Sequence, residues 1–306
     1  MGLSILIPIY NYDVTELVNV LSAQLLKTGI TGEILLLDDG SDPSFDKINS
    51  SLSHVPSVKY LKNPLNAGRT ASRKLLAESA QYNYLLFLDC DSLIIKDDFL
   101  EIYSRQMDIN EQLVSGGRVY SSQPPGKCCY YLHWKYGSRR ETISATQHKG
   151  PAFMSHNFLV KKSIFQQLDF TIQLKRYGHE DSLWGIQFWK MGVEQKKIKN
   201  PVLHASLEEA TIYLKKSEQA IENLLELAKL VNTRILKKEI KIFRWFSRLR
   251  TWGIAGIVEF FLRPFQSFFR KNLSSCSPSL FFFDCYRLAL LIRLSKIKRI
   301  SGSLSK

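Results

Sequence analysis

The chain has 306 residues, of which 45% are hydrophobic, a share typical of a globular protein with a substantial core. This length fits one large α/β domain with an appendage, or two domains. The formal net charge of +14 is unevenly spread: residues 1–233 carry 26 Lys/Arg and 25 Asp/Glu, whereas residues 234–306 carry 16 and 3. Such a basic tail is expected to meet an anionic partner, either phospholipid headgroups or nucleic acid.

The cysteines and the first residues bear on the cellular compartment. The five cysteines are odd in number and lack metal-ligand spacing, which is consistent with a reducing compartment. The opening sequence has no basic segment ahead of its apolar stretch and is interrupted by Pro8, so it is not typical of a signal peptide. These features predict a cytoplasmic protein.

Short apolar runs alternate with helix-like segments through the first third of the chain. This alternation predicts βαβ units and a parallel sheet. The predicted strands are Ser4–Ile9, Glu33–Leu37, Val58–Leu61 and Tyr84–Leu88, and the predicted helices are Thr15–Leu26 and Arg69–Ala80. Neither a G-x-G-x-x-G fingerprint nor a Walker lysine follows the first strand, which excludes those two modes of phosphate binding.

Two aspartates, Asp89 and Asp91, directly follow the apolar strand Tyr84–Leu88. In open α/β folds, ligands bind in the crevice outside the carboxyl ends of the strands. Two carboxylates there suit Mg²⁺ or Mn²⁺ bound to nucleotide phosphates; the alternative is that they cap the next helix. The earlier strands also end in polar residues, namely Tyr10, Asn11, Asp38, Asp39 and Asn66.

The middle of the chain, roughly residues 115–200, is rich in aromatic residues, Gly, Ser and His, as are loops that line a cleft. Its sharpest feature is the pair Glu180 and Asp181 at the start of a predicted helix, Ser182–Lys190. Acidic residues in a first helical turn favour the helix dipole. A carboxylate held there can also deprotonate an acceptor hydroxyl.

Taken in order, these pieces resemble the family 2 inverting glycosyltransferases. That resemblance implies the GT-A fold, an α/β fold with a Rossmann-like, mostly parallel sheet flanked by helices, followed here by a helical extension. The helix after Gly68 departs from the family, which often has Ala-Arg-Asn where this chain has Ser72-Arg73-Lys74, so only the arginine carries over. The matching motifs are Pro8-Ile9-Tyr10-Asn11, Asp38-Asp39-Gly40-Ser41, Asn66-Ala67-Gly68 with Arg73, Asp89-Cys90-Asp91, His179-Glu180-Asp181 and Asn200-Pro201-Val202-Leu203-His204.

The resemblance also implies which residues hold the nucleotide-sugar donor. Asp39, with Asp38 beside it, would hold the uracil or ribose, and Tyr10 would flank the base. Asp89 would contact the ribose or a water on the metal. The remaining residues assigned to nucleotide-sugar binding are Pro8, Asn11, Asn66 and Arg73.

The metal and the base are assigned in the same way. Asp91 would bind Mn²⁺ or Mg²⁺ at the donor diphosphate. His204, at a predicted strand end, is either a further metal ligand or a packed core residue. Asp181 would be the catalytic base, with Glu180 orienting it or touching the acceptor.

The implied function is metal-dependent, inverting transfer of a sugar from a nucleotide-sugar, UDP-linked, to a hydroxyl of a glycan or lipid-linked acceptor in bacterial cell-surface polysaccharide synthesis. One alternative is a nucleotidyltransferase, which requires a Gly-rich, basic loop where this chain has Tyr10-Asn11-Tyr12-Asp13. Another is a non-catalytic membrane-bound scaffold, against which the intact Asp91 and Asp181 count.

These motifs predict a catalytic domain over residues 1–233, with a nucleotide-sugar half (1–110) and an acceptor half (111–233), and a helical tail over 234–306. Basic residues (Lys237, Lys241, Arg244, Arg248) lie on one side of the tail's first helix, and bulky apolar residues (Phe243, Trp245, Phe246, Leu249, Trp252) lie largely on the other. This pattern predicts a helix that lies on an anionic membrane surface, although it also fits packing against the catalytic domain. No nucleic-acid-binding motif is present, so we expect a peripheral protein on the inner face of the plasma membrane.

Overall fold

The structure is a computed structural model that describes residues 2–142, 150–172, 174 and 176–303. Each predicted strand and helix is present, with ends shifted by at most two residues. The strands are β1 (Leu3–Ile9), β2 (Gly32–Asp39), β3 (Val58–Asn63), β4 (Tyr84–Leu88), β5 (Ser92–Ile94), β6 (Leu113–Ser115), β7 (Arg118–Val119), β8 (Asn157–Lys161), β9 (Gln195–Lys197) and β10 (Val202–His204). The helices are α1 (Thr15–Thr28), α2 (Pro43–Ser50), α3 (Arg69–Ser79), α4 (Phe99–Asp108), α5 (Tyr131–Tyr136), α6 (Lys162–Phe165), α7 (Glu180–Lys190), α8 (Ala210–Leu230), α9 (Thr233–Glu239), α10 (Lys241–Thr251), α11 (Ala255–Leu262), α12 (Gln266–Leu273) and α13 (Leu280–Ser303).

The described residues form two compact units that do not follow chain order. The first unit takes its residues from Met1–Ser121, Glu141–Ile172 and Trp184–Ser206. The second takes them from Ser122–Arg140, Gln173–Leu183 and Leu207–Lys306. The predicted catalytic domain and tail, divided at residue 233, stay a prediction.

The first unit is built on a seven-stranded sheet in the order β3-β2-β1-β4-β8-β6-β9. The pairs among β3, β2, β1 and β4 are all parallel, whereas β8 runs antiparallel to both β4 and β6. A second, three-stranded sheet has the order β5-β10-β7. The predicted α/β fold with a mostly parallel sheet is therefore confirmed.

The central strands are buried on both faces, which explains their unbroken apolar sequences. Successive side chains of a strand point to opposite faces. Leu86 and Leu88 of β4 accordingly join the apolar cluster that includes α1 and α4, while Leu85 and Phe87 join the cluster that includes α3 and α7. The two clusters hold β4 in place immediately before Asp89.

The second unit shares one apolar core between helices on both sides of residue 233. Leu132 of α5 and Leu214 of α8 cluster with Phe269 of α12 and Phe283 of α13. A disulfide bond joins Cys128 to Cys276 in the same unit, a pairing that the sequence did not predict.

Helix α10 does not present its whole apolar side to the surroundings. Phe243, Phe246 and Leu249 are buried, and the helix contacts α9 and α13. Only Trp245 and Trp252, of the five apolar residues expected at a membrane, are exposed. The prediction that this side meets lipid is wrong for the three buried residues, because neighbouring helices cover them.

None of the helices in the described residues combines the length and the apolarity that crossing a membrane requires.

We predict that Phe87→Ala lowers the free energy of unfolding by about 3–5 kcal/mol, as expected for an emptied aromatic site. The Phe87 ring is fully buried and lies 4.8 Å from the Phe158 ring and 4.7 Å from the Phe165 ring, between centroids. Denaturant titration followed by tryptophan fluorescence measures the change. Leu26→Ala, at a residue that is 75% exposed, is the control and should change stability by less than about 0.5 kcal/mol. Equal stability of the two variants would contradict this packing.

Candidate active site

The carboxyl ends of three parallel strands meet at one edge of the first unit's large sheet. β1 pairs in parallel with β2 on one side and with β4 on the other. Polar residues predicted from sequence lie at or just after the end of each strand, so the topology brings together residues that are far apart in sequence, such as Tyr10 and Asp89, which are 79 positions apart. This edge is where open α/β folds bind ligands.

The loops after β1 and β2 are tied to each other through Asn11. The Asn11 backbone N–H donates to the Ser41 hydroxyl (2.8 Å), and the Asn11 side-chain oxygen accepts from the Asp42 N–H (2.7 Å). Asn11 has φ +49°, a left-handed conformation that asparagine tolerates. Tyr10 next to it is 53% exposed, and Pro8 is half-buried within β1. Asn11 therefore fixes the two loops at this edge of the sheet, and the Tyr10 ring next to it is exposed.

Asp39 holds the loop between β3 and α3. Its carboxylate accepts hydrogen bonds from the Asn63 side chain (2.8 Å), the Ala67 N–H (3.0 Å) and the Gly68 N–H (2.8 Å). A Cβ on Gly40, which has φ +77°, would lie 2.8 Å from the Asn66 nitrogen, so only glycine permits this approach. Asp39 is buried and both of its carboxylate oxygens accept hydrogen bonds, whereas Asn66 is exposed.

Asp38 is oriented differently from its neighbour. Its Oδ1 accepts from the Ser41 N–H (2.8 Å), while its Oδ2 is buried and accepts no hydrogen bond from the described residues. A buried carboxylate oxygen without a donor is costly. Asp38 therefore retains unused capacity to accept a hydrogen bond at this edge.

Asp89 forms a buried ion pair with Arg73 of α3. The Arg73 Nη2 lies 2.6 Å from the Asp89 Oδ1 and also donates to the Ser155 carbonyl (3.3 Å). Burial alone would raise the pKa of Asp89, but Arg73 and Arg69 hold it below its ordinary value. Arg73 itself is 3% exposed and lies over the Trp184 ring. The structure thus shows Arg73 positioning Asp89, and contact between Arg73 and the donor stays a prediction.

Asp91 and His204 meet across a short antiparallel pair. Ser92 of β5 lies opposite His204 of β10, and the Ala205 N–H donates to the Asp91 carbonyl (2.9 Å). The His204 Nδ1 is 3.3 Å from the Asp91 Oδ2. Adjacent ligands of an octahedral Mg²⁺ or Mn²⁺ lie about 3 Å apart, so this pair fits one ion.

The described residues contain no group of three or more His, Cys, Asp and Glu side chains arranged around a metal position. Magnesium-type sites commonly use one or two carboxylates and complete their shell with substrate phosphates and water. Asp91 supplies one such carboxylate, and His204 lies beside it. Buried Asn200, two residues before β10, donates to the Phe99 carbonyl of α4 (3.0 Å) and so ties the start of β10 to that helix.

A second charged group beside the aspartates escaped the sequence analysis. Arg118 of β7 donates to Glu141 (2.5 Å), which also accepts from the Tyr120 hydroxyl (2.6 Å). Burial would lower the pKa of Arg118, but Glu141, with smaller contributions from Asp89 and Asp91, raises it. Arg118 therefore stays cationic near both aspartates.

His156 lies in the same buried neighbourhood and stays neutral. Burial, followed by the charge of Arg118, lowers the pKa of His156 to about 3. Its Nε2 is buried without a hydrogen-bond partner among the described residues. The sequence signal in this region is the pair Gly116-Gly117 before Arg118. The structure explains the first glycine, because a Cβ on Gly116 would lie 2.2 Å from the Tyr103 hydroxyl.

The predicted base belongs to the second unit. Asp181 and Glu180 occupy the first turn of α7, and both are partly exposed. The preceding turn is fixed by Asn223 of α8, whose side chain donates to the Gly178 carbonyl (2.8 Å), while Glu180 accepts from the Gly178 N–H (3.2 Å). His179, at φ +70°, contacts the Ser182 hydroxyl at 3.1 Å. The turn therefore holds both carboxylates at a helix start.

Comparison with known proteins shows what the chain is similar to. The family model described as Glycosyl transferase family 2 matches residues 4–169. An uncharacterized glycosyltransferase of Rickettsia conorii is 29% identical over 131 residues, which are 43% of this chain and 21% of that protein. An uncharacterized glycosyltransferase of Haemophilus influenzae is 36% identical over 96 residues, 31% of this chain and 38% of that protein.

Two further similarities extend over more of the chain. Chondroitin synthase of Escherichia coli is 24% identical over 226 residues, covering 62% of this chain and 32% of that protein. The chain thus spans between about a fifth and two fifths of the length of these curated relatives. The structure of the mannosyltransferase PcManGT from Pyrobaculum calidifontis, in complex with GDP-Man and Mn²⁺, matches with a TM-score of 0.50 at 11% identity, over 74% of this chain and 64% of that chain. At that identity the likeness concerns the fold, which is the GT-A fold.

We predict that Arg73→Met lowers the free energy of unfolding by about 3–5 kcal/mol, because it leaves Asp89 buried without its counter-charge. Adding Asp89→Asn should restore part of the loss, which denaturant titration of both single variants and the double variant would show. Lys74→Met, at the exposed next position of α3, is the matched control. Additive effects of the two substitutions would contradict a direct Arg73–Asp89 interaction.

Proposed function

The chain belongs to glycosyl transferase family 2, and on this basis we propose that it transfers a sugar from a UDP-linked nucleotide-sugar to a hydroxyl of a glycan or lipid-linked acceptor. The observation that carries the proposal is the meeting of Asp38, Asp39, Asp89 and Asp91 at the carboxyl edge of β2, β1 and β4. We infer that this edge would offer hydrogen-bond acceptors to a nucleoside and a metal-ligand pair to a diphosphate.

The donor nucleoside would bind at the β1 and β2 ends. Tyr10, with its exposed ring, would flank the base, and the unsatisfied oxygen of Asp38 would accept a hydrogen bond from the base or ribose. Asp39 already accepts three hydrogen bonds, so part of its contribution is to hold the loop that carries Asn66. Pro8 and Asn11 would shape the same edge.

The donor diphosphate would lie at Asp91 and His204, which would hold Mn²⁺ or Mg²⁺. When bound, the ion neutralises negative charge on the leaving diphosphate. The 3.3 Å separation of the two side chains supports this assignment, as does the neighbouring mannosyltransferase, whose structure contains GDP-Man and Mn²⁺. Asp89, kept ionised by Arg73, would contact the ribose or an ordered water, and Arg118 would add positive charge nearby.

The acceptor hydroxyl would be activated by Asp181. As the hydroxyl oxygen bonds to the anomeric carbon and the bond to the diphosphate breaks, the carboxylate takes up the hydroxyl proton. A single displacement of this kind inverts the anomeric centre. Glu180, held to the Gly178 N–H at 3.2 Å, would orient the base or contact the acceptor.

The setting we propose is bacterial cell-surface polysaccharide synthesis on the cytoplasmic side of the plasma membrane. The similarity to a chondroitin synthase supports a glycan product. The excess of 16 Lys/Arg over 3 Asp/Glu in residues 234–306 supports contact with an anionic membrane surface, where a lipid-linked acceptor would be found.

We predict that the purified protein with Mn²⁺ releases UDP slowly from one member of a panel of nucleotide-sugars, since water can replace the acceptor. EDTA or Asp91→Ala should reduce the rate by about 100-fold or more, because charge on the leaving group is no longer neutralised. Asp108→Ala, at an exposed residue near the end of α4, is the control and should keep the rate. Full activity in EDTA would contradict the metal, and a protein that neither turns over a donor nor binds UDP in calorimetry would be a scaffold.

We predict that Asp181→Asn lowers this hydrolysis by about 10²–10⁴-fold, the usual contribution of a general base. The affinity for UDP with Mn²⁺, measured by calorimetry, should stay the same, because the substitution leaves the donor residues intact. Glu226→Gln, in α8 of the same unit, is the control. If Asp181→Asn hydrolysed donor at the rate of the unaltered protein, another residue would have to be the base.

A further inference from the structure

The second unit exposes a row of large apolar side chains on its helices α11 and α12 and at the start of α13. We call this surface the apolar ridge. Its members are Ile257 (57% exposed), Phe260 (71%), Phe261 (64%), Phe265 (53%), Phe268 (53%) and Phe281 (70%). Every exposed phenylalanine in the described part of the chain belongs to this ridge. Single exposed aliphatic residues are common on proteins, but a contiguous aromatic surface marks an interaction site.

The ridge is continuous along one side of the chain. Ile257, Phe261 and Phe265 recur every four residues, and Phe268 follows three residues later, which places them on one face of the nearly continuous helix formed by α11, the 3₁₀ turn Arg263–Phe265 and α12. The Phe268 ring contacts the Phe282 ring at 5.4 Å between centroids. This contact links the helix to the start of α13, where Phe281 is exposed.

The ridge also packs against the apolar core of the second unit. The Phe282 ring lies 5.4 Å from the ring of Phe269, which is 4% exposed and belongs to the second unit's apolar core. Helix α11 is further held by the ion pair between Glu259 and Lys296 of α13 (3.0 Å). The exposed rings therefore stand on a packed support and do not need to refold to reach a partner.

The charges around the ridge identify the partner. Arg263 follows Phe260 by three residues and Lys271 follows Phe268 by three, which makes each cation a neighbour of a ridge residue on the helix surface; both are exposed. The segment from 255 to 273 contains a single acidic residue, Glu259, and Lys296 already neutralises it. Aromatic side chains bordered by cations suit the headgroup region of an anionic bilayer, where rings enter the apolar boundary and cations meet phosphates.

We propose that the apolar ridge inserts into the interfacial layer of an anionic phospholipid bilayer, with Arg263 and Lys271 binding lipid phosphates. This assigns membrane contact to α11, α12 and the start of α13, not to the apolar side of α10, which is buried. The inference rests on the proposed function in one respect: a lipid-linked acceptor is the reason why the protein would approach a membrane. The binding itself needs no turnover and is measured separately.

The test is co-sedimentation of the full chain with vesicles of phosphatidylcholine, alone or mixed with phosphatidylglycerol. The unaltered protein should bind the mixed vesicles more tightly. The variant Phe260→Ser/Phe261→Ser/Phe265→Ser/Phe268→Ser should bind them at least about tenfold more weakly, because it removes the inserting rings. Arg263→Gln/Lys271→Gln should weaken binding to mixed vesicles several-fold and leave binding to phosphatidylcholine unchanged.

The matched control is Leu26→Ser/Trp189→Ser, which removes two exposed apolar side chains of the first unit and should leave vesicle binding unchanged. Phe260→Ser/Phe261→Ser is a smaller variant, confined to a helix with no buried residue, for use if the fourfold variant unfolds. Hydrolysis of UDP-sugar without vesicles should be the same in all these variants, so a failed donor assay and a failed vesicle assay are distinguishable.

Three results would overturn the inference. The first is vesicle binding that survives loss of the four rings in a folded variant. The second is equal binding to neutral and anionic vesicles, which would remove the role of Arg263 and Lys271. The third is a protein that ignores vesicles and self-associates through the same rings, which would make the ridge a contact between copies of the chain.

Discussion

The parallel pairing of β1 with β2 and β4 is the constraint on which the candidate site depends. Because side chains at the ends of neighbouring parallel strands emerge at one edge, Asp38, Asp39 and Asp89 are brought together without being close in sequence. This convergence has an electrostatic cost, since several carboxylates are withdrawn from water at the same place. The surrounding structure offsets that cost at Asp39 and at Asp89, by different means.

Asp39 is compensated by hydrogen bonds from the β3–α3 loop, whereas Asp89 is compensated by a full charge. The three hydrogen bonds to Asp39 come from residues on both sides of Asn66, so Asp39 helps to set the position of Asn66. Asp89 instead depends on Arg73, which is itself buried and fixed by the Ser155 carbonyl and Trp184. A buried ion pair adds little net stability, but it keeps Asp89 ionised at one position.

The sequence predicted the strands well because a parallel strand buried on both faces leaves a distinctive unbroken apolar run, as in Tyr84–Leu88. It also predicted which residues stand at the sheet edge, since polar residues directly after such runs can hardly lie elsewhere. The sequence could not predict that Arg73 pairs with Asp89, or that Arg118 and Tyr120 both donate to Glu141. Those pairings join distant segments through side chains, and no local pattern in the sequence encodes them.

Helices α10 and α11 of the basic segment differ in what covers their apolar side chains. Helix α10 has the alternation of apolar and basic sides expected at a membrane, yet Phe243 and Phe246 are buried. An amphipathic pattern states that one side avoids water; it does not state whether protein or lipid covers that side. Helix α11 differs because it is apolar nearly all round and buries no side chain in the described structure. With one side facing α13, its remaining apolar sides still need a nonaqueous neighbour, and the cations beside them favour lipid over a second apolar protein surface.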